Sequence, residues 1–308
     1  MAARARDWKS LTAAHRQRGK FMTIMFDPEG TAFAPPEAAG RRGRPQLYTD
    51  DCIEGILTVK LALQLSLRAT QGLVLGLRDL VKGTWNVPDF STLSRREARL
   101  EVDLGAQVNT DKRQMLIVDS TGLKVFGEGE WKVRQHGVGK RRTWCKVHIL
   151  VDRESGHIIA VETTPNNTPD CLVLPGLMPA DLTGTMVLGD GAYHTKDLHR
   201  EVHKRGGRLL SPPPENARVW KPYHHLRDEP AFAFRNAQLT PLKRLGRTQW
   251  KIQSGCAMRS YVEAMMHRLK SLTGARLAAR TEERQKVEVR LRCKLLNATA
   301  TSTWSSGI

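Results

Sequence analysis

The chain has 308 residues, which is enough for one large domain or two modest ones with a buried core. Its 49 lysines and arginines outnumber its 31 acidic residues, so the net charge is +18 and the isoelectric point is about 10.1. Such a charge indicates a polyanionic partner, and nucleic acid is the usual one. We expect neither a secretion signal nor a membrane span, because the N-terminal segment is basic and the most apolar stretch, residues 53–67, is interrupted by Lys60 and Gln64.

The positive charge is concentrated in the later part of the chain. Residues 111–308 contain 33 basic and 19 acidic residues, against 16 and 12 in residues 1–110. This clustering favours a nucleic-acid surface over a merely soluble basic protein. The five cysteines are scattered and form no CxxC pair, which indicates reduced cytosolic thiols and not a disulfide framework or a zinc site.

Residues 1–44 are predicted to form a flexible basic arm, because prolines interrupt every periodic pattern in the second half of this segment. The arm ends in the sequence RRGRP, which contains Arg42 and Arg44. Arginines in such a run can enter a narrow minor groove of DNA, where the negative potential is concentrated. A basic linker that touches no DNA explains the same sequence equally well.

Residues 45–110 are predicted to form a helical domain. Apolar residues recur there at helical spacing in three stretches, 49–65, 70–81 and 89–100. Arg95 and Arg96 lie near the start of the third helix, as in a helix-turn-helix-like DNA-binding region. A plain helical bundle without a role in DNA binding is the alternative.

After residue 110 the pattern changes from helices to strands. Continuous or alternating apolar runs predict five strands, at 115–119, 143–151, 157–164, 186–189 and 207–210. Helical segments separate the later strands, and one of them covers residues 195–205. This order predicts an α/β fold, in which helices pack on a mixed sheet.

Two of the predicted strands end at an aspartate beside small residues. Asp119 follows an apolar run in the sequence DSTG, and Asp190 follows another in the sequence GDGAY. Ligands of α/β sheets bind at the carboxyl ends of the strands. If the two strands are neighbours, the carboxylates repel each other unless a proton or a cation lies between them. A divalent Mg²⁺ or Mn²⁺ ion removes this conflict, although each aspartate taken singly also fits an ordinary turn.

A third candidate carboxylate, that of Glu263, lies on a predicted helix further along the chain. At about 100° per residue, Arg259 and Lys270 fall on the same flank of this helix as Glu263. Cations one turn before and two turns after an acid suit phosphates beside a metal site. The same spacing also occurs on a surface helix whose successive turns are joined by ion pairs.

Three motifs taken together resemble a known family. They are DSTG at 119–122, GDGAY at 189–193, and the spacing R-x₃-E-x₆-K of Arg259, Glu263 and Lys270. In combination they look like the DDE transposases of bacterial insertion sequences, in particular the group often called the IS-five family. The resemblance extends from about Gly43 to Asn297. It departs from the family pattern at Cys256, where the family usually has a tyrosine.

The resemblance implies an RNase H-like catalytic domain over residues 111–300. It implies that Asp119, Asp190 and Glu263 are the catalytic residues and that they bind two Mg²⁺ (or Mn²⁺) ions per active site. Arg259 and Lys270 would position phosphates of the DNA. The implied reaction is cleavage at a phosphate, followed by attack of the freed 3′ hydroxyl on target DNA.

The same resemblance implies the partners of the chain. They are double-stranded DNA, both as the ends of the element and as the target, and a second copy of the chain when two ends are paired. No membrane is involved, and the implied location is the bacterial cytoplasm, in association with the nucleoid.

The segment 124–146 is the densest basic stretch near Asp119, and two tryptophans are interleaved in it. We expect it to contact the DNA backbone. The residues expected to make these contacts are Lys132, Arg134, Arg141, Arg142 and Lys146. A hairpin exposed to solvent is the alternative.

Three further features have an expected position but a weaker functional assignment. Residues 211–258 are predicted to be an inserted, basic and mostly irregular segment that could hold the DNA end. Residues 281–296 are predicted to be a helix that packs on the sheet. His199 and His203 are one helical turn apart and could bind a metal, although a solvated helix face explains them better.

The sequence therefore predicts a transposase that binds the terminal inverted repeats of an insertion sequence. One alternative is a DNA-binding regulator derived from a transposase, which the presence of all three acids argues against. Another is an RNase H-like nuclease that cuts without joining. The N-terminal helical region and the RGRP arm argue against that second alternative, since they suit a protein that holds specific DNA ends.

Overall fold

The structure is a computed structural model, and it describes residues 33–36, 46–106, 115–125, 144–221 and 230–298. The chain divides into two compact units. The first contains residues 1–104 together with 269–308, and the second contains residues 105–268. The predicted domain boundaries after residues 44 and 110 lie outside the described residues and stay predictions.

Three helices of the first unit follow the N-terminal side of the chain. They are α1 (Asp50–Ala62), α2 (Leu67–Leu80) and α3 (Phe90–Glu97). Each begins after a residue whose side-chain oxygen accepts a hydrogen bond from a backbone N–H of the first turn: Thr49, Ser66 and Asp89. This capping satisfies a donor that the helix itself leaves free, and it fixes the start of each helix. The three helices predicted from the sequence are therefore confirmed, whereas their predicted role in DNA reading is not tested.

The fourth helix of the first unit, α9 (Glu282–Ala298), comes from the far end of the chain. Its Val287 and Leu291 belong to the same buried cluster as Ile53 and Leu57 of α1. The helix predicted over residues 281–296 is therefore present, whereas its expected packing on the sheet stays a prediction. A stripe of aliphatic residues does not specify which apolar surface it will cover.

A buried ion pair fixes the segment before α9. The carboxylate of Glu288 accepts hydrogen bonds from the backbone N–H groups of Ala278 and Ala279, at 3.1 and 2.8 Å, and from Arg292 at 2.6 Å. The side chains of Glu288 and Arg292 are 1% and 3% exposed, so both charges are withdrawn from water. Such a pair is stable only while both partners and their hydrogen bonds are present.

The second unit is built on a five-stranded sheet. Its strands are β1 (Met115–Lys124), β2 (Trp144–Asp152), β3 (Ile158–Pro165), β4 (Met186–Leu188) and β5 (Arg208–Leu210). They lie in the order β3-β2-β1-β4-β5. β2 is antiparallel to both of its neighbours, and β4 is parallel to both β1 and β5. This mixed sheet confirms the predicted α/β class, and its order is that of an RNase H-like fold.

Two helices cover one face of the sheet. They are α4 (Asp170–Leu177) and α5 (Lys196–Lys204). Leu116 and Val118 of β1 are buried in one cluster with Leu174 of α4 and Leu198 of α5. Because side chains alternate along a strand, Ile117 and Asp119 point to the opposite face. The packing of this core therefore determines the side of the sheet on which Asp119 lies.

The segment predicted to be mostly irregular contains two helices after the undescribed residues 222–229. They are α6 (Ala233–Ala237) and α7 (Leu239–Gln253), and a 3₁₀ turn at Cys256–Arg259 joins α7 to α8 (Ser260–Thr273). The prediction of an irregular segment is therefore wrong for residues 233–253. Gly246, with φ of +74°, interrupts α7 and obscures its helical period in the sequence. No helix in the described part of the chain is both long and apolar enough to cross a membrane.

Replacing Glu288 by alanine tests the buried pair. Arg292 would stay buried without a counterion and two backbone N–H groups would lose their acceptor, so we expect the free energy of unfolding to fall by about 3–5 kcal/mol. Urea denaturation of both proteins measures this difference. The control is Glu282→Ala, which removes an exposed ion pair with Lys286 at 2.9 Å and should cost less than about 1 kcal/mol. Equal losses in the two variants would contradict the assignment.

Candidate active site

Asp119 lies in the middle of β1, not at its end as the sequence suggested. β1 continues to Lys124 because β2 pairs with it along its whole length. The pairing with β4 stops at Ile117 and Leu188, two residues before Asp119. The carboxylate is therefore placed where β1 loses its parallel neighbour, at the carboxyl edge of β4. Its side chain is 14% exposed, which leaves it accessible from one side.

Asp190 follows the end of β4 at the same edge of the sheet. The N–H of Gly189 still donates to the carbonyl of Leu210 at 3.1 Å, which continues the ladder by one residue. The carboxylate of Asp190 then accepts from the N–H of Ala192 at 2.8 Å and caps the 3₁₀ turn Gly191–Tyr193. A second strand therefore delivers an aspartate close to Asp119, as the sequence predicted.

The glycine before Asp190 is required by packing. A Cβ atom at Gly189 would lie 2.7 Å from Cδ2 and 2.9 Å from Cγ of Tyr193. The ring of Tyr193 is itself buried in the core beneath the sheet. Only a residue without a side chain fits between β4 and this ring, so the small residues of the GDGAY motif have a steric cause.

Arg259 joins two of the three predicted acids. One nitrogen of its guanidinium donates to Oδ2 of Asp119 at 3.0 Å, and the other donates to Oε1 of Glu263 at 2.5 Å. Arg259 lies in the 3₁₀ turn before α8, and Glu263 lies in the first turn of that helix. Glu263 is 53% exposed, so its carboxylate can leave this contact without disturbing a core.

The protonation of Asp119 reflects these surroundings. Burial raises the pKa of Asp119, and the charges of Asp190 and Glu263 raise it further. The N–H of Ser120 and the charge of Arg259 oppose the rise in this pKa. Asp190 and Glu263 therefore both lie within electrostatic reach of Asp119.

The three acids do not form a closed set of metal ligands. Throughout the described ranges, no three histidine, cysteine, aspartate or glutamate side chains are grouped so as to hold a metal ion. The guanidinium of Arg259 instead contacts both Asp119 and Glu263. It supplies the positive charge that two close carboxylates need. The donor set itself, three carboxylates, suits a hard divalent cation.

A cavity of about 480 Å³ opens beside these residues. Asp190, Arg259 and Glu263 line it, and so do Arg247 and Lys251 of α7. These last two residues are not among the predicted site residues, because the sequence predicts an irregular segment there. Two basic residues four positions apart immediately after a glycine were the available signal. We call Arg247 and Lys251 the α7 cation pair.

The α7 cation pair has no carboxylate partner among the described residues, in contrast to Arg259. Arg247 donates one hydrogen bond to the carbonyl of Pro213 at 2.8 Å and keeps its other donors. Cys256, at the position where the family usually has tyrosine, is buried near the pair. Burial raises the pKa of the Cys256 thiol, and the charges of Lys251, Arg259 and Arg247 oppose this rise.

The wall of the cavity beyond Asp190 is an aromatic and histidine cluster. His194 contacts Oγ of Ser211 at 3.0 Å and accepts a hydrogen bond from Arg235 at 3.2 Å, and its ring packs against Trp220. Burial lowers the pKa of His194 to about 4 and that of His199 to about 3. His199 packs against His194 and Trp220, whereas His203 is exposed. The open alternative of a metal bound by His199 and His203 is therefore not supported.

Other predicted DNA-binding residues lie in different surroundings. Lys146 forms an ion pair with Asp170 at 3.1 Å and donates to the carbonyl of Thr168 at 3.0 Å. Arg96 donates to Asp50 at 2.5 Å and to the carbonyl of Tyr48 at 3.2 Å, so both side chains already have partners in the fold.

Arg95 is exposed, and Lys270 lies in the last turn of α8, two turns after Glu263. Six of the predicted residues lie outside the described residues: Arg42, Arg44, Lys132, Arg134, Arg141 and Arg142.

Two family models match the chain. The model described as Transposase DDE domain matches residues 110–298, and a second model with the same description matches residues 16–128. Among solved structures, the chain is similar to one from the Drosophila P element transposase strand transfer complex. That similarity has 14% sequence identity and a TM-score of 0.33, and it covers 64% of this chain and 48% of the other. The match therefore extends over about half the length of the Drosophila chain.

Replacing Gly189 by alanine tests the steric origin of the GDGAY motif. The new Cβ would overlap the ring of Tyr193, so we expect a loss of about 1–3 kcal/mol in unfolding free energy. Gly191→Ala is the matched control, because its Cβ would meet nothing closer than 3.9 Å and Gly191 does not have a positive φ. Urea denaturation compares the two variants. A Gly189→Ala protein as stable as Gly191→Ala would refute the steric explanation.

Proposed function

This chain belongs to the family of transposases with a DDE domain, and we propose that it acts as a transposase on an insertion sequence. It would bind the terminal inverted repeats, cleave the DNA there and join the freed 3′ end to target DNA. Family membership rests on the match over residues 110–298, which is more than half of the chain. The activity, the substrates and the partners are the proposal.

One observation supports the proposal above the others. An aspartate of one strand and a glutamate of a helix share a single arginine, and a second aspartate after the neighbouring parallel strand lines the same cavity as that arginine and further cations. Carboxylates alone would repel a phosphate, and cations alone would only bind it. Acids and cations on the walls of one cavity suit metal-assisted chemistry on a phosphodiester.

We assign the metal-binding role to Asp119, Asp190 and Glu263. Members of this family depend on divalent metal ions, and we propose two Mg²⁺ or Mn²⁺ ions per active site. When bound, such ions activate water as a nucleophile and stabilise the leaving 3′ oxygen. Glu263, as the most exposed of the three acids, is the side chain that can adjust its position to complete the ligand set.

Arg259 would change partners during this assembly. In the structure it neutralises Asp119 and Glu263. Once the acids are neutralised by metal ions, its guanidinium is free to donate to phosphate oxygens, for which its planar fork is well suited. The same side chain would thus preserve the site without DNA and position the DNA during the reaction.

The α7 cation pair would bind the phosphates next to the scissile one. Arg247 and Lys251 face the cavity that Asp190 and Glu263 line, and no described carboxylate neutralises them. A phosphate placed against this pair fixes the register of the strand relative to the acids. Lys270, on the helix of Glu263, is proposed to contact the backbone further along.

The proposed partner is double-stranded DNA, both at the element ends and at the target. The net charge of +18 supports a polyanionic partner such as DNA. Joining one element to a target requires two ends to be held together, so we propose a homodimer in the complex with paired ends. The bacterial cytoplasm, in association with the nucleoid, is the proposed location.

The reaction is tested with labelled duplexes that carry the inverted repeats flanking the gene. Wild-type protein with Mg²⁺ or Mn²⁺ should cut the repeat at its 3′ end and join it to a second duplex. Asp190→Asn should bind the repeats within about twofold of wild type and lose both reactions by at least about 100-fold, because a metal ligand is weakened. Gel separation of cut and joined strands measures both steps.

Asp197→Asn is the control for Asp190→Asn, since Asp197 is 93% exposed on α5 and should leave both reactions unchanged. Cutting by Asp190→Asn at the wild-type rate would show that Asp190 is not a metal ligand. Cutting without joining by wild type would identify a nuclease, and binding without cutting would identify a regulator.

The α7 cation pair is tested by Arg247→Gln and Lys251→Gln. Each variant should slow cleavage of bound repeats by about 10- to 100-fold, because a charge-assisted contact to phosphate is lost. Binding should change less, since many other contacts to the backbone remain. Lys243→Gln is the control, because Lys243 is exposed on α7 before Gly246 and does not line the cavity. Equal rates for all three variants would rule out the role of the pair.

A further inference from the structure

A groove in the first unit contains four arginines from separate parts of the chain. Its volume is about 580 Å³. Arg68 comes from the start of α2, Arg95 from α3, and Arg280 and Arg284 from the segment before and at the start of α9. We call these four residues and the surface between them the arginine groove. Only Arg95 was singled out from the sequence.

The charge of the groove is strongly positive. Among its described lining residues Glu97 is the one acid, and Lys60 pairs with it at 3.4 Å. The side chains of Lys60 and Glu97 are buried, so their opposite charges cancel below the surface. The four arginines of the groove therefore outnumber the acid that lines it, and the groove has a net positive charge.

Two of the arginines are held in defined orientations. The guanidinium of Arg68 lies over the ring of Phe90, 4.3 Å from its centroid. Arg95 donates to the carbonyl of Ser91 at 3.3 Å and to Oγ1 of Thr92 at 3.4 Å. Because a guanidinium has five N–H donors, these contacts orient each side chain and leave donors for a ligand.

The N-termini of two helices beside the groove add to its positive electrostatic potential. The groove is lined by Ser66 and Leu67 at the N-terminus of α2, and by Phe90 and Ser91 at the N-terminus of α3. The N-terminus of a helix carries a partial positive charge that favours anions. The dipoles of both helices thus add to the arginine charges in place of opposing them.

The neighbouring arginine on α3 lies differently. Arg96 donates to Asp50 and to the carbonyl of Tyr48, and it does not line the groove. Of the two adjacent arginines that the sequence offered, only Arg95 therefore faces this surface. The remaining cations come from α2 and from the C-terminal part of the chain.

We propose that the arginine groove binds the sugar–phosphate backbone of duplex DNA. This inference rests on the proposed function, since it takes DNA as the partner of the chain. Phosphate contacts of this kind position a protein on the duplex without reading its sequence. The groove would therefore set how α3 lies against the DNA, and residues 280–284 at the C-terminal side would take part in end binding together with the N-terminal helices.

The test is the salt dependence of DNA binding by the full chain. Labelled duplexes, one with the inverted repeat and one of random sequence, are titrated by fluorescence anisotropy between about 50 and about 200 mM salt. For the double variant Arg68→Gln/Arg284→Gln, we expect weaker binding to both duplexes. The slope of log K against log salt should become shallower by about 2, which is about 1 per lost phosphate contact.

Two controls separate charge from folding. Arg68→Lys/Arg284→Lys keeps both charges and should restore most of the slope. Arg99→Gln removes an exposed arginine that does not line the groove and should bind like wild type. A slope for the glutamine double variant equal to that of Arg99→Gln would overturn the proposal. A loss confined to the repeat duplex would overturn it as well, since backbone contacts do not distinguish sequences.

The outcome is independent of the catalytic test. Suppose that the wild-type protein neither cuts nor joins DNA, but the glutamine double variant has a shallower slope of log K against log salt. This result would support the role of the arginine groove and contradict the transposase reaction. If the wild-type protein cuts and joins DNA and the double variant keeps the wild-type slope, only the proposed role of the arginine groove is contradicted.

Discussion

The contacts of Arg259 with Asp119 and Glu263 are the interaction on which the arrangement of the site depends. Three carboxylates near one half-buried point repel one another, and the raised pKa of Asp119 records that repulsion together with burial. One guanidinium offsets it and ties the sheet, through β1, to the start of α8. Divalent ions held by the same carboxylates would take over this neutralising role from Arg259, with a larger positive charge.

Much of the fold was readable from periodicity alone. The five strands, their mixed α/β arrangement and the three N-terminal helices follow from apolar patterns and capping residues such as Thr49 and Asp89. The sequence pattern does not predict which other element each helix packs against. The sequence of α9 does not identify its partners, and only the structure shows that its Val287 and Leu291 share a buried cluster with Ile53 and Leu57 of α1. Gly246 interrupts the helical period of α7, so the sequence pattern predicts an irregular segment where the structure has a helix.

The site was predicted in part, for a related reason. Asp119, Asp190 and Glu263 are predicted site residues because each stands in a short motif, and the parallel pairing of β1 and β4 places the first two at one edge of the sheet. Their ligand geometry was not predictable, because Arg259 was expected to face phosphates and instead contacts two of the acids. Arg96 and Lys146 were chosen for their charge, but ion pairs within the fold engage them. The local sequence shows which residues are charged. Whether such a residue is available to bind DNA depends on neighbours that are distant in the sequence.

The pairing of α9 with the N-terminal helices has a consequence for synthesis. A ribosome completes residues 105–268 before it makes α9, so the sheet can fold while the first helices still lack the surface that buries Ile53 and Leu57. Arg280 and Arg284 are synthesised long after Arg68 and Arg95, so the groove is complete only once residue 284 has been made. A polypeptide that stops before α9 would therefore carry Asp119, Asp190 and Glu263 without the complete arginine groove, so the proposed contacts of the groove with DNA would require α9.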